Sequence, residues 1–414
     1  MPTHRIPALI AGLMLTATRV AAQDAPATID DLWKIVQRQQ AEIDALRAEI
    51  GRTTAQVEST TARVQQTESR VEATGDYVES LASAGTGSND TTIGGYGELH
   101  YNRVDADSGD SDEIDFHRFV LFFGHEFSDR VHFFSELELE HSFAGDGEPG
   151  EVELEQAYVD FGLTKNISAR TGLFLLPLGI LNETHEPPTF YGVERNDVES
   201  IILPATWWEA GASLNGRLDN GLSWDFAIHS GLAMATSGGD AFRVRSGRQK
   251  VAEAIASDPA YTMRVRYTGL AGLELAASYQ YQSDPSQLPG DGLDSGRLFT
   301  AHALYQRDGF GLRALYGAWN FSGAAVQAAG ADDQHGWYVE PSYRLNDHWG
   351  LYARYEDLDG ARNQDQFTQT EFGFNFWPVD GVVLKMDYRD RDYDPAALAG
   401  DDFGAIDLGF GYAF

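Results

Sequence analysis

From residue 92 to the C-terminus, apolar and polar side chains alternate in segments of about ten residues, separated by turn residues. Sixteen such segments run at 92–104, 114–127, 130–143, 152–162, 166–177, 206–218, 221–231, 259–268, 271–283, 295–307, 309–321, 334–345, 348–358, 368–377, 381–391 and 402–414. Their connections keep a two-beat rhythm. Those at 128–129, 163–165, 219–220, 269–270, 308, 346–347 and 378–380 are tight, with Ser-Asp, Asp-Asn, Asn-Asp and Asp-Gly turn chemistry. Those at 105–113, 144–151, 178–205, 232–258, 284–294, 322–333, 359–367 and 392–401 are longer and mostly acidic or Gly-rich. Even strand number, short turns facing long loops, and both ends on the short-turn side predict an all-β fold, a sixteen-stranded antiparallel transmembrane β-barrel.

The alternation assigns faces. Tyr261, Met263, Val265 and Tyr267 point one way, and Thr262, Arg264 and Arg266 the other. Val382, Leu384, Met386 and Tyr388 oppose Val383, Lys385, Asp387, Arg389 and Arg391. A Lys or Arg facing lipid near mid-bilayer costs about 2–4 kcal/mol, so the polar sets must line the lumen. By the same reasoning Glu136, Glu138 and Glu140 face inward, opposite Val131, Phe133, Leu137 and Leu139. In 152–162 the phase of Val152 and Leu154 conflicts with that of Ala157, Val159 and Phe161, which predicts a bulge near Glu155–Gln156. The last segment ends with Ile406, Leu408, Phe410, Tyr412 and Phe414 on one face, the pattern of an outer-membrane assembly signal.

A second periodicity precedes the barrel. Residues 29–81 repeat every seven, with Ile29, Val36, Ile43, Ile50, Val57, Val64, Val71 and Val78 at the first core position. Leu32, Gln39, Leu46, Thr53, Thr60, Thr67, Thr74 and Leu81 occupy the second. A period of 3.5 predicts a left-handed coiled coil, about 80 Å long at 1.5 Å per residue. The pairs Glu42–Arg47 and Arg63–Glu68 suit parallel strands, and repeated Thr at the second position tilts the choice toward a trimer. The expected organisation is a signal peptide at 1–22, a periplasmic coiled-coil stalk at 23–81, a Ser/Gly-rich linker at 82–91 and the barrel at 92–414.

Composition narrows the chemistry. The 414 residues carry 63 Asp and Glu against 30 Lys and Arg, a formal charge of −33, and no Cys. Thiol chemistry and Cys-based metal sites are excluded, and nucleic acid is a poor partner for so acidic a chain. No G-x-S-x-G or H-E-x-x-H occurs; His185-Glu186, for instance, runs into Pro187-Pro188. Neither an enzyme nor a bound cofactor or metal is expected, only loose divalent-cation association with acidic outer loops such as Asp105, Asp107, Asp110, Asp112 and Glu113.

A sixteen-stranded barrel is wide enough for an aqueous channel unless something fills it. The segment 177–205 is unlike a solvated loop: its prolines, Phe190, Tyr191 and isoleucines need a surface to pack on. Folded into the lumen, it would place Glu183, His185, Glu186, Glu194 and Arg195 at a constriction. Its stretch Asn182-Glu-Thr-His-Glu-Pro-Pro-Thr-Phe-Tyr-Gly-Val-Glu-Arg-Asn, with Trp207-Trp208-Glu209, resembles the phosphate-selective porin O/P family. That resemblance implies a trimeric channel for passive diffusion of small hydrophilic solutes, including anions such as phosphate or pyrophosphate. It also implies a basic lumen, for which Arg264, Arg266, Lys385, Arg389, Arg195, Arg243 and Arg245 qualify. The many carboxylates leave a second expectation: a cation-preferring or non-specific porin whose coiled coil is mainly a periplasmic tether or spacer. Expected partners are two further copies of the chain, outer-membrane lipid and lipopolysaccharide, the assembly machinery, and peptidoglycan through the stalk.

Overall fold

The structure, a computed structural model, describes residues 33, 37, 40, 90–106, 108–143, 150–394 and 402–414. The chain forms two compact units, 1–63 and 64–414. In the first, Trp33, Gln37 and Gln40 are helical and exposed, all outside the two core positions of the heptad. The rest of the heptad segment, the export segment and residues 82–89 of the expected linker lie outside the described residues; Asp90 is exposed coil, and Thr91, expected to end the linker, already belongs to the first strand.

The second unit contains β1 (Thr91–Ala106), β2 (Ser111–Ser128), β3 (Val131–Glu140), β4 (Val152–Gly162), β5 (Ile167–Leu175), β6 (Trp208–Arg217), β7 (Leu222–His229) and β8 (Ala260–Leu270). It continues with β9 (Leu273–Gln282), β10 (Ser295–Arg307), β11 (Phe310–Ser322), β12 (Asp333–Arg344), β13 (Trp349–Asp359), β14 (Gln366–Val379), β15 (Val382–Tyr393) and β16 (Phe403–Ala413). Each strand pairs antiparallel with its sequence neighbours, and β1 pairs with β16 to close the barrel. Closure is completed at the C-terminus, where Gly95 and Phe414 exchange two backbone hydrogen bonds of 2.9 Å. No edge remains to be paired.

Local chemistry explains the hairpins. Between β10 and β11 only Asp308 and Gly309 turn the chain, with φ of +50° and +84°. Positive φ at both central positions defines the hairpin turn that Asp-Gly favours. The expected bulge in β4 is present: Gln156 pairs with Glu136 and Leu154 with Leu137, leaving Glu155 as the extra residue. A second bulge, unmarked in the sequence, lies in β2, where Phe116 and His117 together oppose Leu99.

Burial is inverted relative to a water-soluble fold. Met263 and Val265 are 51% and 57% exposed, whereas Thr262 and Arg264 between them are 0% and 4% exposed. Leu384, Met386, Ile406, Leu408, Phe410 and Phe414 join the outward apolar band. Such a surface is stable only against lipid.

The core therefore sits inside the barrel. Leu176, Leu178, Ile202 and Trp207 of the third long loop pack with Leu232, Met234, Phe242 and Val244 of the fourth, and with inward-facing Leu298, Trp319 and Phe321 of the wall. Two features make room for the third loop. Gly317 and Gly336 are paired across β11 and β12, and a Cβ on either would meet Ile202 at 3.4 or 3.2 Å. On β16, a Cβ at Gly411 would fall 2.3 Å from Cβ of Pro187. Glycine is the residue for a strand position where another segment of chain packs this close.

Candidate functional site: the third loop and the lumen wall

The third loop, residues 176–207, is gathered at its root by one side chain. Asn182 donates to the carbonyls of Leu176 (2.8 Å) and Trp207 (3.0 Å) and accepts from the Trp207 N–H (2.6 Å). At its centre the fully buried Glu199 accepts from the N–H groups of Ile180 (2.5 Å) and Leu181 (2.7 Å) and from the Tyr338 hydroxyl of β12 (2.8 Å). With only two short helical turns of its own, Pro187–Thr189 and Val198–Ile202, the loop relies on such side-chain acceptors to satisfy its buried backbone.

Polar anchors then tie the loop across the lumen. Glu183 pairs with Arg264 of β8, which also holds Asp225 of β7 at 2.7 Å. His185 lies 3.2 Å from Glu136 of β3 and 3.8 Å from Glu155 of β4. The Thr189 carbonyl accepts from Arg313 of β11 (2.6 Å), and that of Gly192 from Lys385 of β15 (2.8 Å). The Lys385 ammonium also sits 3.6 Å over the Phe190 ring. The Val193 N–H donates to Asp387 (2.7 Å), and Glu194 accepts from Asn102 (2.9 Å) beside His100 (3.0 Å), both of β1. Asp197 donates its N–H to Glu356 of β13 (2.8 Å) and pairs with Arg391 of β15.

Of the residues expected at a constriction, all five lie on this loop, but in different settings. His185 and Glu186 are buried against the β1–β4 wall, Glu183 and Glu194 are half-buried in ion pairs, and Arg195 is half-buried with its Nε and Nη2 unpartnered. The wall residues Arg264, Lys385, Asp387, Glu136 and Glu138 are buried on the inward face, while Arg266, Arg389 and Glu140 are half-buried. Arg389 is matched by Asp407 at 2.5 Å, Arg243 by Asp365 at 2.6 Å, and Glu138 lies 3.2 Å from Arg118. At the C-terminus, Phe410 and Phe414 are exposed and Tyr412 is half-buried.

Three groups escaped the sequence reading. Arg354 of β13 sits among Glu340 (3.1 Å), Glu356 (3.0 Å) and Glu371. Strand parity was the signal for it, because Leu351 and Tyr355 face outward. Glu199 carried no signal beyond an acid in an apolar stretch. The third is the inward fold of the fourth loop with its Arg248, which arrives at the end of the third loop together with Arg245, a residue the resemblance had already implied for the lumen. Arg245 donates to the carbonyls of Ser200 (3.2 Å) and Ala205 (3.1 Å), and Arg248 to those of Pro204 (3.2 Å) and Thr206. Carbonyl partners satisfy hydrogen bonds without cancelling charge. Burial first, then the like charges of Arg248, Arg195 and Arg118, push the Arg245 guanidinium below its ordinary value.

Among the described residues, three groups bring His or carboxylate donors within 4.8 Å of one another: Asp115, His117 and His141; Glu136, Glu155 and His185; Glu140, Glu151 and Glu153. The acids of the first outer loop are not among them. There Asp112 accepts from the Tyr101 hydroxyl at 3.0 Å.

Known proteins share this architecture. An uncharacterized protein of Aquifex aeolicus (strain VF5) is 31% identical over 334 residues, 73% of this chain and 76% of that protein. The anion-selective porin of Comamonas acidovorans superposes with a TM-score of 0.55 at 13% identity, covering 78% of this chain and 99% of the porin. OmpT of Vibrio cholerae in its trimer form superposes at 0.51 with 10% identity, covering 79% and 100%. The family description "Phosphate-selective porin O and P" matches residues 92–414, the whole of the barrel. A closed, inside-out barrel crossed by its own third loop is thus an outer-membrane porin, and the chain belongs to the phosphate-selective porin O and P family.

Proposed function

We propose that this porin passes small hydrophilic anions, phosphate among them, by passive diffusion past the third loop. The carrying observation is the contrast among lumen arginines. Arg264, Arg354, Arg389 and Arg391 are matched by carboxylates, whereas Arg195, Arg245 and Arg248 keep charge that no ion pair among the described residues cancels. Many other lumen cations are paired with acids, so arginine charge without an ion-pair partner is concentrated beside the third loop despite the total of −33. Arginine suits tetrahedral oxyanions through its planar fork. We read the working unit as a homotrimer with the heptad segment as its periplasmic clamp, as the trimer form of OmpT supports for the barrel.

Reversal potential across a KCl gradient in planar bilayers tests the selectivity. Chloride preference with concentration-dependent block by phosphate is the expected result. Potassium preference without phosphate block would establish the cation-preferring alternative instead.

A further inference from the structure

We propose that Asp115, His117 and His141 form a binding site for a divalent transition cation of the zinc class at the long-loop entrance of the lumen. Their donor atoms already converge. Nδ1 of His117 and Nδ1 of His141 lie 3.0 and 2.8 Å from the same Asp115 oxygen, Oδ2. A tetrahedral ion with bonds of about 2.0–2.2 Å separates its ligand atoms by about 3.3–3.6 Å, so each ring needs to move from the carboxylate by only about half an ångström. Ligation needs both imidazoles neutral with their one N–H proton on Nε2, so that each Nδ1 turns a lone pair toward the ion, which then takes the place beside the carboxylate.

Backbone irregularities aim these side chains. The β2 bulge puts Phe116 and His117 together opposite Leu99, which turns His117 toward the side carrying Asp115. His141 follows the end of β3 with φ of +48°, and Ser142 continues at +50°. That left-handed step is uncommon for residues other than glycine. The His141 N–H donates to the His117 carbonyl at 3.0 Å, setting the two residues side by side.

The surroundings carry both signs, with Arg118 held by Glu98 at 2.7 Å. The His117 ring stacks on His100 at 4.8 Å and 10°, and His100 lies between Glu98 (3.3 Å) and Glu194 (3.0 Å). The three candidate ligands are partly exposed, so an ion can enter and keep water in its remaining position. Two imidazoles with one carboxylate select zinc, nickel or copper over calcium, which prefers an all-oxygen shell.

Calorimetric titration of ZnCl₂ into full-length, tag-free protein in detergent tests the site. One ion per protomer is expected, with affinity lowered about tenfold or more in His141→Ala and in Asp115→Asn. His141 lies beyond the end of β3, and heat-modifiable gel migration confirms that its variant barrel is folded. Copper in place of zinc gives a second readout: nitrogen coupling in the electron paramagnetic resonance spectrum from two imidazoles, reduced to one in His141→Ala. Absence of saturable zinc binding would overturn the proposal. Binding unchanged in the His117→Ala/His141→Ala double variant would also overturn it, and would place the ion among the acidic loops.

Discussion

At the scale of single residues, Arg195 offers the cleanest probe of selectivity. Its Nε and Nη2 satisfy nothing in the structure, so removing them leaves no orphaned partner there. Arg195→Ala should fold like the parent and lower the chloride-to-potassium permeability ratio about threefold to tenfold, read from reversal potentials. Arg245 makes a poorer probe, since its loss also strips the carbonyls of Ser200 and Ala205. Glu199 has the opposite character. Glu199→Ala leaves the Ile180 and Leu181 N–H groups buried without an acceptor, at about 1–3 kcal/mol for each group. The barrel ladder does not depend on that carboxylate. The expected outcome is an intact barrel with a loosened third loop, seen as faster limited proteolysis within residues 180–200 and noisier single-channel current.

Among the elements, the third loop depends on how shallow the wall is beneath it. Gly411→Val sets a side chain where Pro187 now lies, and overpacking of this kind costs about 1–3 kcal/mol. The loop is the softer partner, because β16 is hydrogen-bonded on both sides by β15 and β1. Gly411→Val should therefore keep gel-shifted, folded barrels while raising the exclusion limit for neutral sugars in liposome swelling. The strands were legible in the sequence where one face must be polar: Arg264 and Arg266 between Met263, Val265 and Tyr267 admit one orientation. The bulge at Glu155 was legible because a strand cannot change phase without one. The strand β2 was legible but its facing was not, since Phe119, Val120, Leu121, Phe122 and Phe123 are apolar on both faces. Val120 and Phe122 turn inward only because Tyr96 and Phe134 are there to receive them. The inward fold of the fourth loop was equally hidden: Leu232, Met234, Phe242 and Val244 follow no period, and only their partners on other strands give them a direction. The third loop was readable as far as its need to be buried; its anchors, spread from β1 to β15, were not.

For the whole molecule, the barrel and the heptad segment answer different needs. Sixteen strands closed edge to edge satisfy one another's backbone, so the barrel wall does not require a partner to exist. A coiled coil over the heptad segment, as its sequence predicts, would bury its β-branched stripe only against other copies of itself. Its Thr-rich second core position makes that seam weak, and weak seams associate well only when the chains are already held close, as barrels sharing a membrane are. The two units should therefore reinforce each other. Deleting residues 29–81 separates assembly from tethering. If the stalk is the clamp, the shortened protein inserts and conducts, but cross-linking in detergent gives monomers where the full chain gives trimers. Trimers that survive the deletion, together with loss of envelope integrity in cells, would make the stalk a spacer to the cell wall. A continuous helix over 29–81 would be about 80 Å long, which suits either task, so cross-linking, not reach, decides between them.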